Sequence, residues 1–498
     1  MSAAAGATKF RKESVLRVFI FPALGGLLFG YDIGATSYVL PQLESKRSGV
    51  KWHDLIKHSA VLQGIVTSGG VAGALVGALI VFRVADVLGR RRELLIGSWL
   101  YAFGAGLELA SGGVRGGTSA ALGLSLLLLG RVVYGVGCGF VMHGAPAYIA
   151  EMSPPSVRGM LVSLKEAMIV VGISVGYGIG YGMSSIPHGW QITYGASIPI
   201  ALVVFFGVLG LPPSARWLAV RGRRAEPSLR FVYGDNFGEA LHELEDVQID
   251  TTKSLADPEY RAALRAGLGV VLLQQFTGQP SVLYYATSIF ESAGIGAIAT
   301  VFVGVFKLAA TLIAVFAVDS RGRRFLLLTG ISVMLVALLG LAGSFADFHS
   351  SGGFDAAKAA IIIFIFVYIA GYQAGFGPIA WLLISECFPL EVRGQAVALA
   401  VQTNFASNLV VTFLFPVAES VFKTLVGHLN LCVLFGIFAI VDVYSLYFVY
   451  KYVPETKGLS LEQIEVLLRR LDGQRPSHQT AAAERVSDAI TTPLVVEK

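Results

Sequence analysis

The chain has 498 residues, of which 54% are hydrophobic and only 14% are charged, whereas soluble proteins carry about 25% charged residues. With a mean hydropathy of +0.67, this composition excludes a soluble globular protein. The net charge of +5 does not indicate nucleic-acid binding, which requires a basic patch on a soluble face. Apolar windows of membrane-spanning length recur, and the alternation typical of β-barrels is absent. We therefore expect an all-α membrane protein.

Twelve apolar stretches are predicted to be transmembrane helices. They are residues 15–40, 59–82, 93–112, 120–149, 160–184, 191–211, 266–292, 297–318, 325–346, 358–385, 396–422 and 428–452. The predicted parts of the chain are a cytosolic N-terminal tail (1–14), an N-terminal six-helix half (15–211), a cytosolic linker with short helices (212–265), a C-terminal six-helix half (266–452) and a cytosolic tail (453–498). In that tail, residues 460–471 have the period of an amphipathic helix, and the polar remainder is expected to be disordered.

Lysine and arginine concentrate on the side that holds both termini, which predicts that both termini are cytosolic. The N-terminal segment has neither the features of a cleavable signal peptide nor those of a plastid transit peptide. The three cysteines are odd in number and have no metal-binding spacing. We expect no disulfide framework, no metal and no cofactor.

The two halves carry the same motifs at equivalent places. DVLGRRR follows the second predicted span and DSRGRRF follows the eighth, while EMSPPSVRG follows the fourth and ECFPLEVRG the tenth. Parallel repeats with a site at their interface are typical of transporters, and a receptor or a membrane enzyme has no need of them. The repeat therefore predicts two pseudo-symmetric halves.

The charged residues of these motifs are candidates for a cytosolic gate, because ion pairs at helix ends can bias a two-state equilibrium when they form and break. The alternative is that the arginines only satisfy the positive-inside rule, but their duplication together with the glutamates favours the gate. The candidates are Asp86, Arg90, Arg91, Glu151, Arg158, Asp319, Arg323, Arg324, Glu386 and Arg393.

Glycines recur at every fourth position in several predicted spans, for example at positions 26, 30 and 34 and at positions 172, 176 and 180. Small residues at this spacing allow two membrane helices to approach closely. We expect these faces to pack against neighbouring helices.

The motifs together resemble the sugar porter family of the major facilitator superfamily, from Gly25 to about Ile464. They are GYDIGA, the two GRR motifs, GRVVYGVGCG, PPSARWL, QQFTGQPSVLYY, GFGPIAWLLISECFP and PETKGLSLEQIE. The strings TGQPSVLYY and GVFKLAAT are most similar to the plant and algal D-xylose–proton symporter-like and vacuolar glucose transporter subgroup. The resemblance implies a twelve-helix fold, alternating access, a monosaccharide site at mid-membrane between the halves, and a small cytosolic helical bundle.

The resemblance also implies which side chains contact the sugar. The implied contacts are Gln274, Gln275, Ser281, Gln373, Trp381, Asn404 and Asn408, with Tyr284 and Tyr285 closing an outer gate. Amides suit this role because they both donate and accept hydrogen bonds, and an aromatic ring covers the apolar face of a sugar. The alternative for the amides is hydrogen bonding between helices, and for Trp381 it is a place in the aromatic belt at the membrane interface.

Three positions depart from the family pattern. Pro280 replaces a usual Asn, Glu166 a usual Gln, and Lys307 a common Asn. Ionisable residues inside a membrane are costly and therefore suggest function, so Glu166 and Lys307 are further candidates for the substrate site. The two side chains are candidates to pair with each other, and the alternative is that Glu166 pairs with Lys165 or with a loop arginine.

Asp32 is the only charged residue between positions 19 and 39. A lone carboxylate in hydrocarbon favours its protonated form, and a neighbouring cation favours the ionised form. Arg131, which lies within the fourth predicted span, is the expected partner. In the family, proton-coupled members have Asp at this position, so we predict that Asp32 and Arg131 form a proton-coupling pair. The alternative is a static buried salt bridge.

The predicted function is proton-coupled transport of a hexose or pentose. The alternatives are an equilibrative uniporter and a sugar sensor, and an enzyme is not expected because no catalytic array or phosphate-binding loop is found. The expected partners are a monosaccharide, a proton and the lipid bilayer, with no nucleic acid and with function as a monomer. The sequence does not distinguish between the plasma membrane and vacuolar or other endomembranes as the location.

Overall fold

The computed structural model describes residues 10–113, 119–245, 255–346, 356–459, 463–464 and 466–468, except for the side chains of residues 47, 243, 245, 315–320, 390 and 391. Helices make up most of this described part, and no β-strand occurs in it. In the described residues, twelve long helices follow one another, with the short helix His53–Lys57 between the first and the second and three short helices between the sixth and the seventh.

The N-terminal half contains α1 (Lys12–Glu44), α2 (Ala60–Leu88), α3 (Arg90–Ser111), α4 (Ala120–Met152), α5 (Pro155–Met183) and α6 (Gly189–Leu209). The C-terminal half contains α7 (Arg261–Phe276, Gln279–Tyr284 and Ala286–Ser292), α8 (Ile298–Arg321), α9 (Arg323–Ala346), α10 (Ala356–Ala374 and Phe376–Cys387), α11 (Leu390–Val426) and α12 (Asn430–Tyr452). The linker helices are Ala215–Val220, Glu226–Tyr233 and Gly238–Glu245.

All twelve predicted spans fall on these helices, which confirms the predicted fold class. Several helices extend past the apolar stretch; α2 runs to Leu88 and α11 begins at Leu390, because a helix can continue into water where the hydrophobic pattern has ended. Nine stretches of the described part are long and apolar enough to cross a membrane, and one of them, Val392–Tyr452, contains parts of both α11 and α12. The amphipathic helix predicted at 460–471 lies mostly outside the described residues.

Glycines bring α1 and α5 into backbone contact. A Cβ atom at Gly30 would lie 1.8 Å from the carbonyl oxygen of Ile169, and one at Gly172 would lie 2.0 Å from the carbonyl oxygen of Leu27. Any larger residue at either position would force the helices apart. The spacing of four therefore acts as expected, as a packing face.

Two helices of the C-terminal half are broken near mid-length. α7 is interrupted at Gly278, whose φ of +95° is readily adopted only by glycine, and Pro280 then lies in the first turn of the next segment. α10 is interrupted at Gly375, whose ψ of −94° is not helical. These breaks lie next to the glutamine pair of α7 and to Trp381 of α10, and so they shape the candidate site.

We call the end of the bundle that carries the two Gly-Arg-Arg loops the cytosolic end, following the charge distribution, and the opposite end the outer end. At the outer end, the two halves touch through α1 and α5 on one side and α7 and α8 on the other. The Tyr38 hydroxyl donates to the Ala297 carbonyl at 2.6 Å, and the Tyr177 hydroxyl donates to the Leu283 carbonyl at 2.7 Å. This end of the structure is closed.

Candidate functional site

Asp32 and Arg131 form the predicted ion pair. Arg131 Nη2 donates to Asp32 Oδ2 at 3.0 Å, and Arg131 Nη1 donates to Asp32 Oδ1. The Arg131 side chain has no exposed surface, and that of Asp32 is 6% exposed. Arg131 Nε also donates to the Val66 carbonyl at 3.1 Å. A two-pronged pair of this kind fixes the orientation of both groups as well as their charge balance.

A second carboxylate faces the same guanidinium. Glu108 Oε1 of α3 lies 3.6 Å from Arg131 Nη1, and its side chain is 1% exposed. Within the described part of the chain, Glu108 Oε1 accepts no hydrogen bond. Three ionisable groups of α1, α3 and α4 therefore share one buried site, which contains one cation and two acids.

Glycines of α2 make room for this cluster. A Cβ atom at Gly70 would lie 2.9 Å from Arg131 Nη2 and 3.2 Å from Asp32 Oδ2. On another side, the guanidinium lies over the ring of Tyr194, 5.3 Å from its centroid. The guanidinium is thus held between four helices of the N-terminal half.

The predicted amides of α7 and α11 form one network. Gln274 Nε2 donates to the Phe376 carbonyl of the broken α10 at 2.9 Å, and Asn408 Nδ2 donates to Gln275 Oε1 at 3.1 Å. Gln275 Nε2 and Asn404 Nδ2 both lie 3.4 Å from Gln274 Oε1. Four of the predicted sugar contacts are therefore brought together in the C-terminal half.

Gln373 lies in a separate group. It accepts a hydrogen bond from Lys307 Nζ at 2.9 Å and donates to the Thr311 hydroxyl. The ammonium of Lys307 also lies 5.0 Å from the centroid of the Tyr372 ring. The Lys307 side chain is buried, and its contacts join α8 to α10.

The predicted pairing of Glu166 with Lys307 does not occur. Glu166 Oε1 lies 2.5 Å from the neighbouring Lys165 Nζ, and its side chain is 41% exposed. The alternative stated from the sequence, a pair with Lys165, is the observed one. The reason is the position of Glu166 on α5, which turns it toward open space while Lys307 finds a partner within its own half.

The remaining predicted contacts surround the amide network. The Ser281 hydroxyl lies 3.5 Å from the Val411 carbonyl, and the Tyr285 hydroxyl donates to the Thr412 carbonyl at 2.9 Å. Tyr284 is buried and its hydroxyl has no hydrogen-bond partner within the described residues. Trp381 is half-buried in the second segment of α10. The two tyrosines lie in the part of α7 that leads to the closed outer end.

The cytosolic motifs form matching clusters, one in each half. In the N-terminal half, Arg90 Nε donates to Glu151 Oε1 at 3.2 Å, and the other oxygen of Glu151 accepts from Ser214. In the C-terminal half, Arg323 Nη2 donates to Glu386 Oε1 at 2.9 Å, and the other oxygen of Glu386 accepts from the Thr456 hydroxyl at 2.5 Å. The sequence repeat therefore has a structural counterpart.

The other gate candidates hold backbone carbonyls in the same pseudo-symmetric way. Arg91 Nη2 donates to the Leu209 carbonyl at 2.7 Å, and Arg324 Nη2 donates to the Tyr450 carbonyl at 2.5 Å.

Similarly, Arg158 contacts the Ser153 carbonyl at 3.4 Å, and Arg393 Nε donates to the Phe388 carbonyl at 3.0 Å. Asp86 lies 3.8 Å from Arg90, with its side chain largely exposed. The side chain of Asp319 lies outside the described part. Each named pair joins helix ends within one half.

Sequence reasoning missed Glu108, and a signal for it was present. Apart from Glu93 at its first position, Glu108 is the only charged residue of the predicted span 93–112, and an isolated acid inside a span is the same pattern that drew attention to Asp32. It also missed Asp442 of α12, a buried carboxylate whose two oxygens have no hydrogen-bond partner in the described residues.

Comparisons with protein families, with related sequences and with solved structures all find sugar transporters. Residues 18–468 match the family described as "Sugar (and other) transporter". The chain is 43% identical over 489 residues to "D-xylose-proton symporter-like 3, chloroplastic" of Arabidopsis thaliana, covering 92% of this chain and 83% of that protein. It is 32% identical to "Glucose transporter GlcP" of Staphylococcus epidermidis, covering 93% and 99%. The inward-open structure of the xylose transporter XylE from E. coli matches with a TM-score of 0.75 at 26% identity, covering 91% and 99%.

Proposed function

The chain belongs to the sugar transporter family, and from this we propose that it carries a monosaccharide, a hexose or a pentose, together with a proton by alternating access. The protein is a multi-pass membrane transporter and not an enzyme. Relatives named as D-xylose-proton symporter-like proteins and as a glucose transporter support this substrate class. The main observation that supports proton coupling is the buried ion pair of Asp32 and Arg131.

We assign the proton switch to Asp32 and Arg131. Protonation of Asp32 removes the negative charge that holds the guanidinium, so Arg131 is released and α1 is free to move relative to α4. Deprotonation restores the pair. Because the pair joins two helices of the N-terminal half, its formation changes how that half packs, which supports a coupling role.

We assign the sugar site to the amide network of α7 and α11. Gln274, Gln275, Asn404 and Asn408 present amide groups that donate and accept at once, as sugar hydroxyls require. The broken α10 brings Trp381 and the Phe376 carbonyl to the same region. Lys307 of α8 and Gln373 of α10 border this region, and the Tyr284 hydroxyl, which has no partner among the described residues, is a further donor toward it.

We propose that the outer end opens and closes between the halves, while the cytosolic end holds each half together. The outer end is closed by hydrogen bonds between the halves, which involve Tyr38, Tyr177 and the pair of Ser37 and Thr287. The cytosolic clusters hold helix ends together within each half, so that each half can rock as a unit. We propose that one chain suffices for transport, because both halves and the path between them belong to it.

The orientation proposed is that both termini face the cytosol, which the positive-inside rule supports. The relatives do not point to a single membrane, since one of them is named as chloroplastic. A fluorescent fusion of the whole chain, imaged in its own cells with organelle markers, assigns the membrane.

The experiment that tests the function is uptake of radiolabelled xylose and glucose into proteoliposomes, with and without an inward proton gradient, for wild type and Asp32→Asn. We expect the gradient to drive accumulation above equilibrium in wild type. Asp32→Asn should lose this accumulation and keep equilibrative exchange. A wild type that ignores the gradient and a variant that exchanges equally well would identify an equilibrative uniporter. Absence of sugar exchange in both would favour a sensor.

A further inference from the structure

A cavity of about 620 Å³ lies at the cytosolic end of the N-terminal half, outside the sugar path. Its walls are the junction of α4 and α5 on one side and the three linker helices on the other. This volume is within the range of small-molecule binding sites, roughly 300–1,000 Å³. Nothing in the transport mechanism proposed above uses the cavity.

The lining of the cavity is strongly basic. Four arginines line it, Arg158, Arg216, Arg223 and Arg224, against the two carboxylates Glu151 and Glu226. Glu151 is already occupied by Arg90 and Ser214. Its charge is therefore not free to neutralise the lining arginines, and the cavity keeps an excess of positive charge.

The arginines themselves have few partners. Among the described residues, the Arg158 side chain donates only to the Ser153 carbonyl, at 3.4 Å, and Arg223 lies over the Trp217 ring at 5.7 Å from its centroid. Arg216 and Arg224 form no side-chain hydrogen bond or ion pair with the described residues. Their guanidinium donors are therefore available to an anion.

Two buried serines, Ser153 and Ser228, line the same cavity. Ser153 is 2% exposed and Ser228 is 1% exposed, and neither hydroxyl has a hydrogen-bond partner within the described residues. A buried polar group without a partner is costly, and rotation of either serine side chain toward a ligand bound in the cavity removes that cost. The positive-inside rule explains arginines at the cytosolic end, but it does not explain these two serines.

We propose that this cavity binds a phosphate-bearing ligand. Several arginines and hydroxyl donors around one space match the tetrahedral oxygens of a phosphate group, which arginine recognises with two parallel hydrogen bonds. The space exceeds what a bare phosphate needs, so the ligand is a phosphate ester. Its two sources are a soluble ester in the cytosol and the headgroup of a phosphorylated lipid in the adjacent leaflet.

The cavity touches the transport machinery at two points, Glu151 and Arg158. A ligand bound there ties the linker helices to the junction of α4 and α5 and stabilises the N-terminal half. Because this effect on stability does not require proton coupling or sugar binding, the inference stands apart from the proposed function.

The first test measures the thermal unfolding midpoint of the whole protein in nanodiscs of neutral lipid, with glucose 6-phosphate or inorganic pyrophosphate as probe and sulfate at equal ionic strength as reference. We expect the phosphate probes to raise the midpoint of wild type more than sulfate does. The double variant Arg223→Gln/Arg224→Gln should bind about tenfold more weakly or worse, since each charge-assisted hydrogen bond contributes strongly. Ser228→Ala should weaken binding without changing charge.

The matched control is Arg92→Gln/Arg230→Gln, which removes the same charge from the cytosolic end at positions that do not line the cavity. This variant should respond like wild type. Both arginines of the cavity variant are exposed, so its folding is not at risk.

The second test measures sugar uptake and the unfolding midpoint in vesicles of phosphatidylcholine with and without a phosphatidylinositol phosphate. A response to this lipid that is lost only in the cavity variant identifies a lipid headgroup as the source, and a response only to the soluble probes identifies a soluble ester. The inference is overturned if wild type responds to neither source, or if the cavity and control variants respond alike.

Discussion

Glu108 lies 3.6 Å from the guanidinium of Arg131, so that Arg131 faces two buried carboxylates and not only Asp32. With both acids ionised, the cluster carries one uncompensated negative charge in a buried site, which is costly. With one proton on either acid, the cluster is neutral. The two acids are not equivalent. Asp32 accepts two hydrogen bonds from Arg131, whereas Glu108 makes one longer contact with Arg131.

The first prediction separates these two acids. Glu108→Gln keeps the shape and hydrogen-bonding capacity of a protonated glutamic acid, so we expect it to keep gradient-driven accumulation, with an uptake rate within about threefold of wild type. Asp32→Asn should lose accumulation. The measurement is uptake into proteoliposomes over a range of external pH. If Glu108→Gln loses accumulation as completely as Asp32→Asn does, Glu108 is itself the carrier of the coupled proton.

The second prediction concerns the amide network. Gln275→Ala removes a hydrogen-bonding side chain from the proposed sugar site and leaves Asn408 Nδ2 without its acceptor, while Asn408 Oδ1 keeps its hydrogen bond from Thr412. We expect the KM for sugar to rise by about 5- to 100-fold, the range for losing one buried hydrogen bond. Gln402→Ala is the matched control, because Gln402 is also on α11 but takes no part in the network. An equal rise in KM for both variants would contradict the assignment.

Much of this fold could be predicted from the sequence, because apolar length and repeated motifs report directly on spans and halves. The pair of Asp32 and Arg131 could also be predicted, since each is an isolated charge in an apolar span. The partner of Lys307 could not, because it depends on how α5, α8 and α10 are rotated about their axes. Hydropathy carries no information on that rotation, and neither does it show that the linker helices enclose a cavity.

The third prediction tests whether Lys307 and Glu166 act on each other. Lys307 contacts Gln373 and Tyr372, whereas Glu166 contacts Lys165. The effects of Lys307→Met and Glu166→Gln on sugar binding should therefore add in the double variant to within about 0.5 kcal/mol. We expect the larger single effect from Lys307→Met, because its ammonium is buried. A coupling energy well above this limit would show that the two residues pair during the transport cycle.

The fourth prediction concerns the cytosolic clusters. Glu151 and Glu386 each accept from an arginine of their own half and from one hydroxyl, so Glu151→Gln and Glu386→Gln should each destabilise the protein. The expected loss is about 1–2 kcal/mol, because these side chains are partly exposed and their charges are screened. The measurement is the thermal unfolding midpoint, with Asp86→Asn as the exposed control. A change in sugar affinity on one membrane side, without loss of stability, would instead indicate a gate between the halves.

The last prediction tests the closure of the outer end. Ser37 Oγ of α1 and Thr287 Oγ1 of α7 lie 3.0 Å apart, across the boundary between the halves. Sulfur atoms at these positions are close enough for a disulfide. Oxidised Ser37→Cys/Thr287→Cys should therefore be locked with its outer end closed, and transport should stop and return on reduction. Of the native cysteines, Cys138 and Cys387 are buried and Cys432 is half-buried, so Ser37→Cys alone serves as the control for oxidation of the native thiols. If the oxidised double variant still transports at the wild-type rate, this contact does not open during the cycle, and the boundary that moves lies elsewhere.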